Sequence, residues 1–219
     1  RCGVVLEWDR SNHESDLGKG YIVFSTEGNL IADNDLYGIE VRGLGVNSQG
    51  VVRLLNDTIA DNGSHGVSFT QIVGTLSSGI GKGQGGVFPP SITNCIIYGN
   101  DQGGMGEQIG GLAAQAAFFG AMIDAISYSD MEGFASLDPE FEERWNLDED
   151  PKFITVPRPT WHLGTDPVSP CIDVGLNDLV EAVLDIDGED RKLDGLCPVS
   201  GAAIVDMGCD EAPEAECVP

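Results

Sequence analysis

A short apolar run that ends in Asn or Asp and is followed by Gly recurs along this chain. Asn34 and Gly38 in the first copy correspond to Asn62 and Gly66 in the second, and each pair is 28 residues apart. A third copy places Asn100 at the same position. The four copies cover residues 29–34, 56–62, 94–100 and 125–130. Internal repetition of this kind is typical of solenoid architectures.

Each copy predicts a short strand followed by a bend. Strands this short cannot bury a face alone, but coils stacked about 4.8 Å apart form a continuous inner core. We expect Asn34, Asn62 and Asn100 to form a ladder at equivalent corners. Asn tolerates the left-handed conformation of a bend, and stacked amides can hydrogen-bond along the ladder. In the fourth copy Asp130 takes the place of Asn.

The repeats predict an all-β chain, a right-handed parallel β-helix solenoid with a loop-rich C-terminal cap. Residues 1–130 are expected to form coils with Gly-rich insertions at 74–90 and 103–123. Residues 131–219 are expected to form the last coil and the cap of the same structural domain. A β-sandwich is the alternative, because it also uses short strands, but it gives no reason to repeat Asn and Gly in one register.

The charge of the chain limits its partners. Its 219 residues include 36 acidic and 11 basic side chains, for a formal net charge of −25. Such a surface repels DNA, RNA and anionic membranes, so we expect no nucleic-acid partner, and no apolar segment is long enough to span a membrane. Cations are the natural partners.

The six cysteines favour disulfides over a zinc site, because they form no CxxC pair and no Cys/His cluster. Cys95 lies in a strand-like run and is expected to be free and buried. We expect at least one bridge in the C-terminal region, and hence an oxidising, extracellular or cell-surface location. The candidates are Cys171, Cys197, Cys209 and Cys217.

A calcium site is predicted in the C-terminal region, because hard cations prefer several carboxylate oxygens close together. The segment differs from an EF-hand, since Leu196 occupies the twelfth position where a Glu belongs. The expected Ca²⁺ ligands are Asp185, Asp187, Asp190 and Asp206. Asn146, Asp148 and Asp150 form a second candidate. For Asp173, Asp187 and Asp206, which lie next to Gly or one residue from it, the structural alternative is that they accept backbone N–H groups in tight turns, with Arg191 paired to one of them.

The C-terminal half also carries a series of motifs in a fixed order. They are Asn146-Leu-Asp-Glu-Asp-Pro-Lys-Phe153, Ser169-Pro-Cys-Ile-Asp-Val-Gly175, Asp185-Ile-Asp-Gly-Glu-Asp-Arg191 and Val205-Asp-Met-Gly-Cys-Asp-Glu211. This series resembles the closing region of the secreted bacterial right-handed β-helix proteins with a pectate-lyase-like fold. The resemblance implies export and a role at or beyond the cell surface. Carbohydrate-active relatives carry catalytic groups on coils that have no recognisable counterpart here.

Three functions remain open. The first is a structural or adhesive module of the cell surface or matrix without catalytic residues. The second is a carbohydrate-binding module, for which exposed Trp8, Trp161 or Tyr37 would stack on sugar rings. The third is a polysaccharide lyase or glycoside hydrolase. The expected partners are polysaccharides or matrix components, together with self-association through an open N-terminal coil.

Overall fold

The computed structural model describes residues 3–7, 22–42, 50–70, 91–100, 108–110, 125–155, 160–193 and 203–213. In these ranges the chain forms twelve short strands and no α-helix, and no helix is long and apolar enough to cross a membrane. The strands are β1 (Val4–Glu7), β2 (Ile22–Glu27), β3 (Leu30–Ala32), β4 (Ile39–Arg42), β5 (Gly50–Leu55), β6 (Thr58–Ala60), β7 (Val67–Thr70), β8 (Ser91–Thr93), β9 (Ile96–Tyr98), β10 (Ile109–Gly110), β11 (Ile126–Ser127) and β12 (Asp130–Met131).

The strands form three sheets of four, and every pairing between them is parallel. Sheet A has the order β1-β4-β7-β10, sheet B has β2-β5-β8-β11, and sheet C has β3-β6-β9-β12. The chain therefore visits A, B and C once per coil and completes four coils. This arrangement confirms the predicted parallel β-helix.

The connections between sheets differ in length. Two residues join each sheet B strand to the following sheet C strand, as in 28–29 and 56–57. The segments from sheet A to sheet B are longer and unequal, and cover residues 8–21, 43–49, 71–90 and 111–125. The expected insertion at 74–90 belongs to this group and lies outside the described residues. The expected insertion at 103–123 contains a strand of sheet A, Ile109–Gly110, which the sequence did not indicate.

The inner core consists of stacked apolar columns. The column of sheet C is formed by Ile31, Ile59, Ile97 and Met131, which pair in register. All four are buried. Since side chains alternate along a strand, the neighbours Thr58 and Ile96 point to the outer side of the same sheet. The core is thus a repeated layer in which each coil supplies the surface that its neighbour covers.

A column of asparagine amides runs beside this core, at the corner between sheets C and A. Asn34 Nδ2 donates to Asn62 Oδ1 at 2.8 Å, and Asn62 Nδ2 donates to Asn100 Oδ1 at 2.8 Å. The backbone N–H of Asn34 and that of Asn62 donate to the same two oxygens. Asn100 Nδ2 continues the column to Gln108 Oε1 at 2.7 Å. The structure therefore brings the three predicted asparagines together in one hydrogen-bonded ladder.

The left-handed conformation expected of these asparagines belongs to other residues. Within the coils that the structure describes, positive φ angles form two columns, each at a bend. The first follows sheet B and consists of Gly28, Asn56, Asn94 and Tyr128; the second follows sheet C and consists of Asp33, Asp61, Gly99 and Gly133. The residue before each ladder position makes the bend, so the ladder side chain is free to turn inward and hydrogen-bond.

The fourth copy of the repeat is out of register with the prediction. Asp130 pairs with Ile96, four residues before Asn100 in the third coil. Its carboxylate lies on the outer side of sheet C and accepts a hydrogen bond from the Cys171 thiol, with 3.3 Å between Sγ and Oδ2. The prediction that Asp130 continues the Asn column is therefore wrong. The short apolar run around Ile126 belongs to sheet B, and spacing alone did not distinguish the two sheets.

The C-terminal part covers the solenoid in two ways. Phe134 and Phe141, with ring centroids 5.7 Å apart, pack against Met131 and close the end of the inner core. Residues 160–193 and 203–213, which we call the lateral layer, pack on the outer side of sheet C. Cys209 N donates to Thr58 Oγ1, and Gly208 N donates to Asn94 O.

Replacing Asn62 by Ala should destabilise the fold by about 2–4 kcal/mol. The substitution removes the acceptor for Asn34 and the donor to Asn100 and to Ile31 O at a buried position, and unpaired buried polar groups are costly. Denaturant unfolding of both proteins measures the change. Asn34→Ala, at the half-buried end of the column, should cost less. Equal stability of Asn62→Ala and the parent protein would contradict the ladder's role.

Candidate functional site

Two large aromatic residues form a stacked pair at the end of the solenoid. The rings of Tyr128 and Trp145 are 6.2 Å apart between centroids and 7° from parallel. Both residues have left-handed backbones, with φ of 50° and 61°, a conformation that is costly for bulky side chains. Tyr128 occupies the corner that Asn56 and Asn94 fill in earlier coils. Such strain points to a role beyond the bend itself.

Trp145 borders a cleft of about 320 Å³. Its side chain is 69% exposed, which is unusual for so large an apolar group. The other lining residues are Glu142, Asn146, Leu147, Asp148, Glu149, Val174 and Met207. We call this surface the Trp145 cleft. The cleft combines an exposed aromatic side chain with carboxylates. It lies where residues 142–149, at the end of the solenoid, meet Val174 and Met207 of the lateral layer.

The base of the cleft is rigidly held. A 3-10 helix over Glu142–Arg144 ends on Trp145, whose backbone N–H donates to Glu142 O. Asn146 is buried; its Oδ1 accepts Ser129 N–H at 3.0 Å and its Nδ2 donates to Phe141 O at 3.0 Å. Asn146 directly follows Trp145, so its hydrogen bonds also hold the backbone that carries the indole of Trp145.

The predicted second calcium set lies beside this cleft and is occupied by protein groups. Asp148 accepts the backbone N–H groups of Gly133 and Ala135 at 2.8 and 2.9 Å. Asp150 pairs with Lys152 at 2.8 Å, and this contact lowers the pKa of the Asp150 carboxyl. Both carboxylates thus hold turns through contacts with backbone N–H groups, and Asp150 also contacts the Lys152 ammonium.

Asp130 is the buried acid under the cleft. Its Oδ1 accepts Glu149 N–H at 3.1 Å. Burial raises the pKa of Asp130 to about 7, the charges of Asp148 and Glu149 act in the same direction, and its hydrogen bonds only partly oppose them. This carboxyl therefore gains and loses its proton near neutral pH.

The four residues predicted to bind calcium are divided between two environments. Asp185 accepts the backbone N–H groups of Asp187 and Glu189 with one oxygen and of Glu211 with the other. Asp190 is exposed, at the end of the same turn. Asp206 is buried and accepts Asp173 N–H at 2.6 Å and Ala212 N–H at 2.7 Å. The carboxylates of Asp185 and Asp206 thus serve as acceptors for backbone amides, and a calcium site built from the four stays a prediction.

Asp206 belongs to a buried charged group with Arg191 and Glu211. Arg191 Nη1 lies 3.2 Å from Glu211 Oε1, and both side chains are about 1% exposed. Burial and the charge of Asp173 raise the pKa of Asp206 to about 7, and burial and the charge of Asp206 raise that of Glu211 to about 9, while Arg191 partly opposes both shifts. Glu211 Oε2 has no hydrogen-bond partner among the described residues. The expected pairing of Arg191 with a cap carboxylate is made with Glu211.

Asp187 takes part in a different group. Its Oδ2 lies 3.4 Å from His162 Nδ1, and Asp210 Oδ1 lies 2.8 Å from the same nitrogen. Burial tends to lower the pKa of His162, but the hydrogen bond to Asp210 and the nearby carboxylates outweigh it and raise that pKa. Within the described ranges, these are the three side chains whose metal-binding atoms lie within 4.8 Å of one another.

The cysteines in the described ranges are free. Cys95, Cys171 and Cys209 are buried thiols, and burial raises the pKa of Cys209 to about 11 and those of the other two well above their usual range. The expectation of a bridge from Cys171 or Cys209 is thus not met in this structure. Cys197 and Cys217 lie outside the described residues, and a bridge between them stays a prediction.

The aromatic residues singled out from the sequence have other contacts. Trp161 Nε1 donates to Asp61 Oδ2 at 2.8 Å and so joins the lateral layer to the bend after sheet C. Tyr37 stacks on His65, with centroids 5.6 Å apart. Trp8 lies outside the described residues. Sequence reasoning missed Tyr128 and Trp145, although correct registration of Ser127 with Thr93 would have placed Tyr128 at a left-handed corner.

Comparisons with known proteins add no assignment, since the chain matches no protein-family model, no curated protein and no solved structure.

Thermal stability should fall as pH rises from 5 to 8. Asp130 binds a proton in the folded state below about pH 7, whereas its unfolded pKa is near 3.8, so folding favours the protonated form across that window. Each such proton contributes a slope of about 1.4 kcal/mol per pH unit at most. Asp130→Asn should flatten the dependence. Asp150→Asn is the control, because the lowered pKa of Asp150 keeps it ionised from pH 5 to 8. Stability that rises with pH in this range would refute the prediction.

Cys171 and Cys209 should react with an alkylating reagent only when the chain unfolds, because both thiols are buried and their pKa values are raised. Mass spectrometry of native and denatured samples, both without reductant, provides the measurement. Labelling of either residue only after reduction would show a disulfide and contradict the structure.

Proposed function

We propose that this chain is part of an extracellular or cell-surface β-helix module with a structural and adhesive role, and that it binds polysaccharide through the Trp145 cleft without catalysis. The observation that carries the proposal is the strained, stacked pair of Tyr128 and Trp145 beside that cleft. An exposed indole offers an apolar face to a sugar ring, and adjacent carboxylates accept hydrogen bonds from hydroxyl groups. The motif series of the C-terminal half, which resembles that of secreted proteins with a pectate-lyase-like fold, supports the proposed extracellular location.

Electrostatics favour neutral or amino-bearing sugars over polyuronates. Glu142, Asp148 and Glu149 line the cleft, and the nearby Arg144 is paired with Asp138. Together with a net charge of −25 this surface repels anionic polymers. We expect the stack of parallel strands to be stiff, which suits a spacer in a matrix.

Self-association through the first coil is part of the same proposal. In the described ranges β1, β2 and β3 are edge strands of the three sheets. Edge strands present unpaired backbone groups that can pair with another chain. A second copy or further coils would satisfy them equally, and sedimentation of the purified chain distinguishes a dimer from a monomer.

A carbohydrate-active enzyme is the second candidate function. Its support is that Glu142 and Glu149, both exposed, line the same cleft as Trp145. Glycoside hydrolysis commonly uses two carboxyl groups on either side of the scissile bond. Release of reducing ends by the parent protein, abolished in Glu142→Gln, would favour this candidate over binding alone.

Trp145→Ala should weaken binding to an affinity-gel panel of neutral and amino polysaccharides by about five- to thirtyfold, since a well-placed aromatic contact contributes roughly 1–2 kcal/mol. Retardation of migration in the gel measures it. Val183→Ala is the control, because Val183 is equally exposed, at 75%, but lies outside the cleft. Unchanged melting of both variants shows that the fold is intact. Binding that survives in Trp145→Ala, or no binding by the parent protein to any glycan, would overturn the proposal.

A further inference from the structure

Three segments of the lateral layer converge on one nitrogen atom. His162 follows the Trp161 contact to the solenoid, Asp187 lies in the turn 185–190, and Asp210 lies in the segment 203–213. Asp187 and Asp210 both direct a carboxylate oxygen at His162 Nδ1. Two carboxylates that face one imidazole repel each other unless the imidazole is protonated or a metal cation lies between them.

The distances between these donor atoms suit a coordination sphere. His162 Nδ1 lies 2.8 Å from Asp210 Oδ1 and 3.4 Å from Asp187 Oδ2. Metal–ligand bonds of about 2.0–2.2 Å place neighbouring donors roughly 2.8–3.1 Å apart in an octahedron and roughly 3.3–3.5 Å apart in a tetrahedron. The observed separations fall in this combined range, so small side-chain adjustments suffice to admit an ion.

The ligands are also oriented by their other contacts. Asp210 Oδ2 accepts Leu163 N–H at 2.8 Å, which leaves Oδ1 directed at His162. Asp187 N–H donates to Asp185 Oδ1, and the second oxygen of Asp185 accepts Glu211 N–H. The turn that carries Asp187 is thereby tied to the residue after Asp210. Hydrogen bonds of this kind position the ligands of natural metal sites.

The group is open on one side. The Asp210 side chain is 7% exposed, whereas those of His162 and Asp187 are 32% and 55% exposed. Solvent can therefore supply the remaining ligands of a four- to six-coordinate ion. Two carboxylates neutralise a divalent charge, and Asp185 adds to the negative potential.

We propose that His162, Asp187 and Asp210 form a binding site for a divalent first-row transition-metal ion, of which Zn²⁺ is the reference. The imidazole nitrogen selects such ions over Ca²⁺ and Mg²⁺, which prefer oxygen ligands alone. The ion joins three segments of the lateral layer and so clamps that layer against the solenoid. This site is independent of the Trp145 cleft, and it shares Asp187 with the calcium site expected from the sequence but differs in its other ligands and in the metal.

The experiment compares the melting temperature of the apo chain in ZnCl₂, CaCl₂ and MgCl₂ at matched ionic strength. An ion that binds only the folded state raises its stability, so Zn²⁺ at about 100 times its Kd should raise Tm by roughly 5 °C, and a chelator should reverse the shift. Isothermal titration calorimetry should show one Zn²⁺ bound per chain and should supply the Kd that sets the zinc concentration for the melting experiment. Ca²⁺ and Mg²⁺ should give no more than the small shift expected from screening.

Two variants and one control assign the site. His162→Gln and Asp187→Asn should each lose the zinc-induced shift and reduce affinity at least tenfold; Asp187 is exposed, so its variant keeps the fold. Asp190→Asn, an exposed acid of the same turn, should behave as the parent chain does. Equal shifts with Zn²⁺ and Ca²⁺ would overturn the proposal, as would a zinc shift that persists in both variants, which would leave His162 and Asp210 as a simple hydrogen-bonded pair.

Discussion

The parallel register between coils is the constraint on which the rest of this structure depends, and buried amides hold it. A slip of two residues keeps the apolar side chains inward, so interchangeable Ile, Val and Phe do not by themselves exclude it. The asparagine column removes that freedom, since Asn62 and Asn100 each accept two N–H groups from the asparagine of the coil before. Such a slip would leave several buried polar groups unpaired, which costs more than any apolar exchange could return.

The acidity of the chain acquires a structural explanation from the lateral layer. This layer has few strand pairings, so its backbone N–H groups need other acceptors. Aspartates supply them: Asp185, Asp206 and Asp210 each accept at least one backbone N–H group. Where such carboxylates are buried, as with Asp130 and Asp206, their pKa values rise, and part of the formal charge is then absent at neutral pH. These polar contacts act together with a second apolar cluster, in which Leu163, Ile172 and Met207 pack with Ile96.

Much of the fold could be predicted from the sequence, because one signal was both local and repeated. The spacing of Asn34, Asn62 and their following glycines depends only on coil length, so it indicated the solenoid and the ladder together. The fourth coil was misread since Asp130 resembles the ladder residue chemically while its register depends on a strand pairing that the sequence does not display. The sites were harder. His162, Asp187 and Asp210 are joined by the path of the lateral layer, and Tyr128 meets Trp145 only because a 3-10 turn brings the chain back.

The unequal segments from sheet A to sheet B have a consequence for how such a protein can diversify. The corner after sheet B uses two residues in every described coil, and the corner after sheet C uses six residues in two coils and ten, 99–108, in the third. The segments from sheet A to sheet B vary more, from 7 to 20 residues, so added sequence is tolerated mainly on one ridge along the solenoid. Evolution can therefore lengthen or exchange the segments on that ridge one coil at a time, while the stacked strands beneath them keep their geometry.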